Sequence, residues 1–135
     1  MNKELEIVLR LIMAAVLGGI VGFQREKSGK PAGLRTMILI SLGAALFTIV
    51  GTFGFIGGDP SRIAAGIVTG VGFLGAGTIF HHRQIVEGLT TAAAMWVAAA
   101  IGLASGAGFY IIAPAATLLT FIVLILPHRG PPHYK

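Results

Sequence analysis

Apolar residues dominate five stretches of this chain, near Ile7 to Phe23, Thr36 to Phe55, Ile63 to Phe80, Thr91 to Gly108 and Phe109 to Leu126, and every formal charge except Arg10 falls outside them. Each stretch is close to the ~20 residues that a helix needs to cross a bilayer. The pattern predicts an all-α integral membrane protein of five transmembrane helices over residues 1–126, with a short tail at 127–135. Asp59-Pro60 marks the start of the third helix, because the carboxylate can accept from free backbone N–H groups and proline suits the first helical position. Pro127 ends the fifth. Between the fourth and fifth stretches Ser105, Gly106, Gly108 and Pro114 supply turn chemistry without a charge, so four crossings with a long bent final helix stay open as an alternative. The first stretch is expected to stay in the mature chain: Arg10 lies inside it, Glu4 and Glu6 precede it, and no A-x-A cleavage site follows.

Composition points the same way. Of 135 residues 55% are hydrophobic and 11% charged, with mean hydropathy +0.87, too little polar surface for a soluble domain. Cysteine is absent, which excludes disulfides, thiolate metal sites and cysteine nucleophiles. The net charge of +5 does not read as a nucleic-acid surface, since the basic residues sit in short segments between apolar stretches. They read as orientation signals instead. With five crossings, Arg25, Lys27, Lys30, Arg35, Arg83, Arg129 and Lys135 share one side against Lys3, Arg10 and Arg62 on the other. That bias predicts a cytoplasmic C-terminus and an external N-terminus; four crossings would leave five against five.

At an offset of 55 the chain aligns with itself: Gly33-Leu34-Arg35-Thr36 falls on Gly88-Leu89-Thr90-Thr91, Gly22 on Gly77, Ala44-Ala45 on Ala99-Ala100 and Gly51 on Gly106. Two helical hairpins in the same orientation would be related by an axis along the membrane normal, with the fifth helix an addition. Small residues recur every four positions as Gly18/Gly22, Gly66/Gly70 and Ala94/Ala98/Gly102/Gly106, and the third stretch also carries Gly72, Gly75 and Gly77. Such stripes let transmembrane helices approach closely. They serve packing within one chain or, on the sharper reading, seal a homodimer.

The polar residues offer few chemical sites. Arg10 lies one turn inside the first helix, where it can snorkel or pair with Glu6 four residues earlier; alternatively Glu6, Arg10, Asp59 and Arg62 form an outer polar cluster. Arg25, Glu26 and Arg35 flank helix ends, where lipid phosphates, one another or a partner can engage them. His81-His82 would point apart on a helix, with no carboxylate until Glu87, which argues against a metal site. No Asp, Glu, His or Lys lies near the predicted middle of a span, where only hydroxyls such as Ser41, Thr48, Thr69, Thr117 and Thr120 occur. That absence argues against a proton-coupled transporter and against intramembrane acid–base catalysis. No phosphate-cradling loop or catalytic-triad spacing occurs either, so the chain is not expected to be an enzyme or to hold a cofactor.

The segments G-G-I-V-G-F-Q-R-E from Gly18, P-A-G-L-R-T from Pro31, S-L-G-A-A-L-F from Ser41, D-P-S-R-I-A-A from Asp59, V-T-G-V-G-F-L-G-A-G-T-I from Val68 and G-L-T-T-A-A-A-M-W-V from Gly88 together resemble the membrane domain of the MgtC/SapB family. The resemblance implies a multi-pass protein of the bacterial inner membrane, linked to growth under magnesium limitation and, in pathogens, to survival inside the host. Two roles are implied for such proteins: regulation of other membrane proteins, including the ATP synthase or transporters, and magnesium transport. Matching polar positions are Arg25, Glu26, Arg35, Thr36, Asp59, Arg62, Thr90 and Thr91, taken here as the candidate functional residues, with Gly18, Gly22, Gly66, Gly70, Gly72, Gly75, Gly77, Gly102 and Gly106 as close-packing positions. Departures are Gly66, where the family pattern leads one to expect Gln, and Glu87, where a basic residue often precedes G-L-T-T. The family's cytoplasmic domain is also expected to be missing, because only P-H-R-G-P-P-H-Y-K follows Leu126. The reading favoured is a non-enzymatic regulator binding other transmembrane proteins; the alternative is a channel or carrier subunit for Mg²⁺ or another ion.

Overall fold

A computed structural model describes residues 2–127; all but the first residue of the expected tail lies outside that range. Five α-helices follow one another: α1 (Lys3–Lys27), α2 (Leu34–Phe53), α3 (Pro60–Ala76), α4 (Leu89–Gly106) and α5 (Ile112–Ile125). Helices α1, α2 and α4 are each long and apolar enough to cross a membrane, whereas α3 and α5, of 17 and 14 residues, are shorter, α3 starting before its apolar stretch and ending within it. Large apolar side chains cover the outside, with Phe73 84% and Leu39 65% exposed. In water such a surface would aggregate, while in a bilayer it is the solvated face.

The sequence signals for helix ends act as read, with one exception. Asn2 caps α1 by accepting from the Glu4 amide, and Asp59 caps α3 by accepting from the Ser61 amide, with Pro60 at the first helical position. Helix α4 stops at Gly106, and Gly108 takes φ +86°, a left-handed conformation that glycine adopts without strain. The chain thus turns before α5, so the single bent helix is ruled out. The exception is the end of α3. The apolar stretch runs to Phe80, but the helix ends at Ala76, and Phe80–His82 pairs antiparallel with Ile85–Glu87 across the turn at Arg83-Gln84. His81 and His82 therefore lie on strand β1, not on a helix.

Helices α1, α2 and α4 form the centre. Their shared core contains Leu17, Val21, Met37, Ala94, Met95, Ala98 and Ile101, joined by Ala113 of α5. Most of these side chains are small or unbranched at Cβ, which lets the backbones come together. The Ser41 hydroxyl of α2 donates to the Ala14 carbonyl of α1 at 2.7 Å, fully buried. Thr48, Thr69, Ser105, Thr117 and Thr120 instead donate to carbonyls four residues earlier in their own helices, which satisfies hydroxyls inside an apolar layer. Helices α2 and α4 begin at Leu34 and Leu89, the same offset of 55 found in the sequence. The hairpins differ where α1 runs on to Lys27 and α3 gives way to the β-ribbon.

Candidate functional site

The nine glycines expected to pack closely divide by helix. A methyl group at Gly18 would lie 2.6 Å from the Ser41 Cβ and 2.8 Å from the Met37 carbonyl; at Gly22 it would lie 2.7 Å from the Leu34 Cα; at Gly106 it would lie 2.6 Å from the Ala45 carbonyl. At Gly102 it would run into the Ser41 backbone. These four positions let α1 and α4 seat directly on the backbone of α2, where dispersion contacts accumulate without a hydrophobic force between helices. On α3 the geometry is different. Methyl groups at Gly66, Gly70 and Gly72 would meet nothing within 4 Å, at Gly75 only ordinary contact with Ala92 at 3.5 Å, and at Gly77 the Leu74 carbonyl of its own turn. Gly66, Gly70 and Gly72 therefore do not pack closely among the described residues: Gly72 lies toward Ala92 and Trp96 of α4, and on another face, that of Gly66 and Gly70, α3 stands off from α2. Gly43 of α2, also with nothing within 4 Å, lies across from it. Between α2 and α3 an apolar groove of about 610 Å³ is lined by Leu39, Gly43, Phe47, Gly66, Gly70 and Leu74, with Arg62 along its wall.

The eight polar candidates separate to the two ends of the bundle. At the end where α1 finishes, Arg25 is 3% exposed. Its Nη2 donates to the Thr91 hydroxyl in the first turn of α4 and, at 3.3 Å, to the Pro31 carbonyl of the loop before α2. Glu26, on the exposed surface, lies against the loop, with its Oε1 3.3 Å from where a Gly33 Cβ would stand. Arg35 and Thr90 are exposed and Thr36 is half-buried. At the opposite end Asp59 accepts from the Ser61 hydroxyl at 2.7 Å and the Ser61 amide at 3.0 Å. Those two donors, the hydroxyl first, hold its carboxyl below the ordinary carboxylate range. Arg62 is exposed.

The outer polar cluster expected from Glu6, Arg10, Asp59 and Arg62 forms with two different members. Arg10 Nη2 donates to Glu6 Oε1 at 2.7 Å, Nη1 to the Gly106 carbonyl at 3.0 Å and Nε to the Tyr110 hydroxyl at 3.3 Å; that hydroxyl donates to Glu6 Oε1 at 3.3 Å. Lys3 Nζ and the Arg10 guanidinium lie 4.5 and 5.7 Å from the Phe53 ring centroid. Among the described residues Asp59 and Arg62 make no ion pair with Glu6 or Arg10. Arg10 thus closes the C-terminal end of α4, where a cation meets exposed carbonyls and the negative end of the helix dipole. Tyr110 and the Gly106 carbonyl were missed in the sequence, and so was Gln24, which is buried and donates to the Leu124 carbonyl of α5 at 3.2 Å and to Ser28 Oγ at 3.1 Å. A glutamine directly after an apolar stretch is the signal the sequence offers.

Comparison with known proteins finds relatives over most of the chain. YhiD of Escherichia coli K12, by name a candidate magnesium transporter, is 48% identical over 132 residues, covering 92% of this chain and 61% of YhiD. The MgtC protein of Brucella abortus strain 2308 is 46% identical over 114 residues, 83% of this chain and 46% of its own. SapB of Bacillus subtilis strain 168 is 42% identical over 126 residues, 87% of this chain and 54% of its own. The chain therefore spans about half to three-fifths of the length of these relatives. No solved structure matches it. Residues 11–129 match the sequence model of the MgtC family, a match that runs from within α1 through the end of α5, and the chain belongs to that family.

Proposed function

We propose that this protein is a non-enzymatic regulator that acts by docking a transmembrane helix of another membrane protein into the groove between α2 and α3. The observation that carries the reading is the bare glycine face: Gly43, Gly66 and Gly70 open onto one apolar groove, and a methyl group at any of them would meet nothing within 4 Å among the described residues. A helix seated there would gain the close backbone approach that Gly18, Gly22, Gly102 and Gly106 already provide inside the bundle. The protein lies in the bacterial inner membrane with its C-terminus cytoplasmic, on the charge bias of its loops. A second copy of the chain is a possible occupant of the groove, and separating it from a foreign helix belongs to the test.

The name of its relative YhiD favours a second reading, a subunit that conducts Mg²⁺. Two measurements decide between them. Cross-linked or co-purified membrane partners should be recovered with the native protein and lost with Gly70→Leu, while the variant keeps its melting temperature; recovery of only a second copy would make the protein a self-associating one. In sealed liposomes we expect no protein-dependent Mg²⁺ entry. Entry that disappears on Asp59→Ala, with the variant still folded, would overturn the regulatory reading and establish transport.

A further inference from the structure

The Arg25 end of the bundle holds more positive donors than the protein itself answers. None of the chain's five carboxylate side chains, all within the described residues, comes within 4.0 Å of the Arg25 guanidinium. Its Nη2 is bonded to two neutral oxygens, and its Nε is buried with no partner among the described residues. Arginine cannot shed its proton at any ordinary pH, so a buried guanidinium without an anion is a charge in want of a counterion.

The surroundings add donors; Glu26, against Gly33, and Glu87, two residues before α4, stand at this end, but neither accepts from Arg25 or from the first amides of α4 among the described residues. Gly88, at the N-cap of α4, has no side chain to cap the helix, and the amides of Leu89, Thr90 and Thr91 find no acceptor among the described residues. Arg25 is fastened to this same first turn through Thr91. Helix α2 also starts uncapped, at Gly33. Carbonyls at this end already accept from within the chain: Gln24, Arg25 and Glu26 at the end of α1 accept from Ser28, Lys30 and Gly29, and Leu124 of α5 accepts from Gln24. A helix start with free amides beside an unpaired guanidinium is the combination that binds oxyanions.

We infer that Arg25 and the uncapped first turn of α4 hold a phosphate-type oxyanion. The guanidinium supplies Nε–H and its neighbouring amine as a fork, the α4 amides supply further donors, and Thr91 keeps the fork facing the helix start. The ligand reaches Nε by displacing the turn 28–33, which touches the guanidinium through the 3.3 Å bond from Nη2 to the Pro31 carbonyl and contains Ala32 at φ +56°, a conformation that a residue with a Cβ holds only under strain. The oxyanion is either the headgroup phosphate of an anionic lipid or a free phosphate. This inference stands apart from the groove between α2 and α3, and either can fail alone.

The test uses the full chain, purified in maltoside micelles with phospholipid removed, and adds inorganic phosphate, phosphatidylglycerol or an uncharged diacylglycerol. One of the two phosphate compounds should raise the melting temperature by several degrees and shift the Arg25 Nε–H resonance in a ¹⁵N-arginine spectrum, assigned with Arg25→Lys; the diacylglycerol should do neither. A response to inorganic phosphate assigns a soluble ligand, and a response to phosphatidylglycerol alone assigns a lipid headgroup. Arg25→Gln should weaken binding at least tenfold, whereas Lys27→Gln with Lys30→Gln should change it less than twofold. If neither phosphate compound binds at millimolar concentration, if Arg25→Gln binds as well as the native chain, or if the surface lysines account for the whole effect, the inference is wrong. Should Arg25→Gln not fold, the resonance of the native chain decides: an Nε–H signal unmoved at saturating ligand overturns the site.

Discussion

Gly18 and Gly70 look alike in the sequence, each four residues from another glycine in an apolar helix, yet a methyl group at the first would strike α2 and at the second would meet nothing within 4 Å. The α1–α2–α4 trio uses its small residues to close its own core. Helix α3 carries more glycines than any other helix and leaves three of them facing open space. In water a helical glycine costs about 1 kcal/mol relative to alanine, and a helix that packed nothing on that face would gain by losing them. The difference teaches that a stripe of small residues in a membrane helix states a capacity for close approach, while the partner that uses it is fixed elsewhere.

The strongest way to break this comparison is Gly102→Leu. A side chain there enters the Ser41 backbone, and because α2 is also held against α1 through Gly18 and the Ser41–Ala14 bond, it cannot back away from one neighbour without pressing the other. Overpacking typically costs about 1–3 kcal/mol and more where nothing can give; with backbone in the way on both sides we expect the upper end, and the variant should lose its folded, monodisperse state on size exclusion and in equilibrium unfolding. A Gly102→Leu protein that unfolds like the native chain would mean that α4 does not rest on α2 as described. Gly70→Ala is the matched case on the other side. It should leave stability within about 1 kcal/mol of the native chain, and on the stabilising side if helix propensity dominates. A loss comparable with that at Gly102 would show that α3 packs closely in the isolated protein and that the groove is closed.

Much of this was legible in the pattern of apolar and polar positions. All five helices, the Asp59-Pro60 start of α3 and the shared starts of α2 and α4 follow from local signals: a carboxylate beside proline, a charged loop, a glycine before Leu34 and before Leu89. The β-ribbon was not legible, because F-H-H-R-Q-I-V-E carries no Asn-Gly or Asp-Gly turn and its bend instead places Arg83 at φ +55°, which no composition rule favours. Long-range choices were hidden for a simpler reason. Arg25 and Thr91 stand 66 residues apart, and Arg10 could be matched to Glu6 by its spacing of four but not to Tyr110, a hundred residues away. Which glycines face a neighbour depends on how each helix is rotated in the bundle, and one chain's small-residue spacing does not encode that rotation.

The finest contrast concerns how each part is held at its ends. Arg10 ties α1 to the end of α4 and to the turn before α5 through two bonds of its guanidinium, to the Gly106 carbonyl and the Tyr110 hydroxyl, whereas α3 begins on a local cap, Asp59 accepting from the hydroxyl and amide of Ser61 two residues on. Because that carboxyl sits below the ordinary range, the cap is fully present above about pH 4, the usual value for aspartate, and is lost as the pH falls through the lowered folded-state value. Hydrogen exchange at the amides of Ser61 to Ile63 should therefore be faster in Asp59→Ala than in the native chain at neutral pH, and the difference should shrink on acidification below that range. The first turn of α1, capped by the amide-bearing Asn2, has no titrating group in its cap and should keep its protection over the same interval. If the two helix starts respond equally to acid, the start of α3 is held by packing and not by its cap, and α3 would then be as firmly built into the bundle as α1.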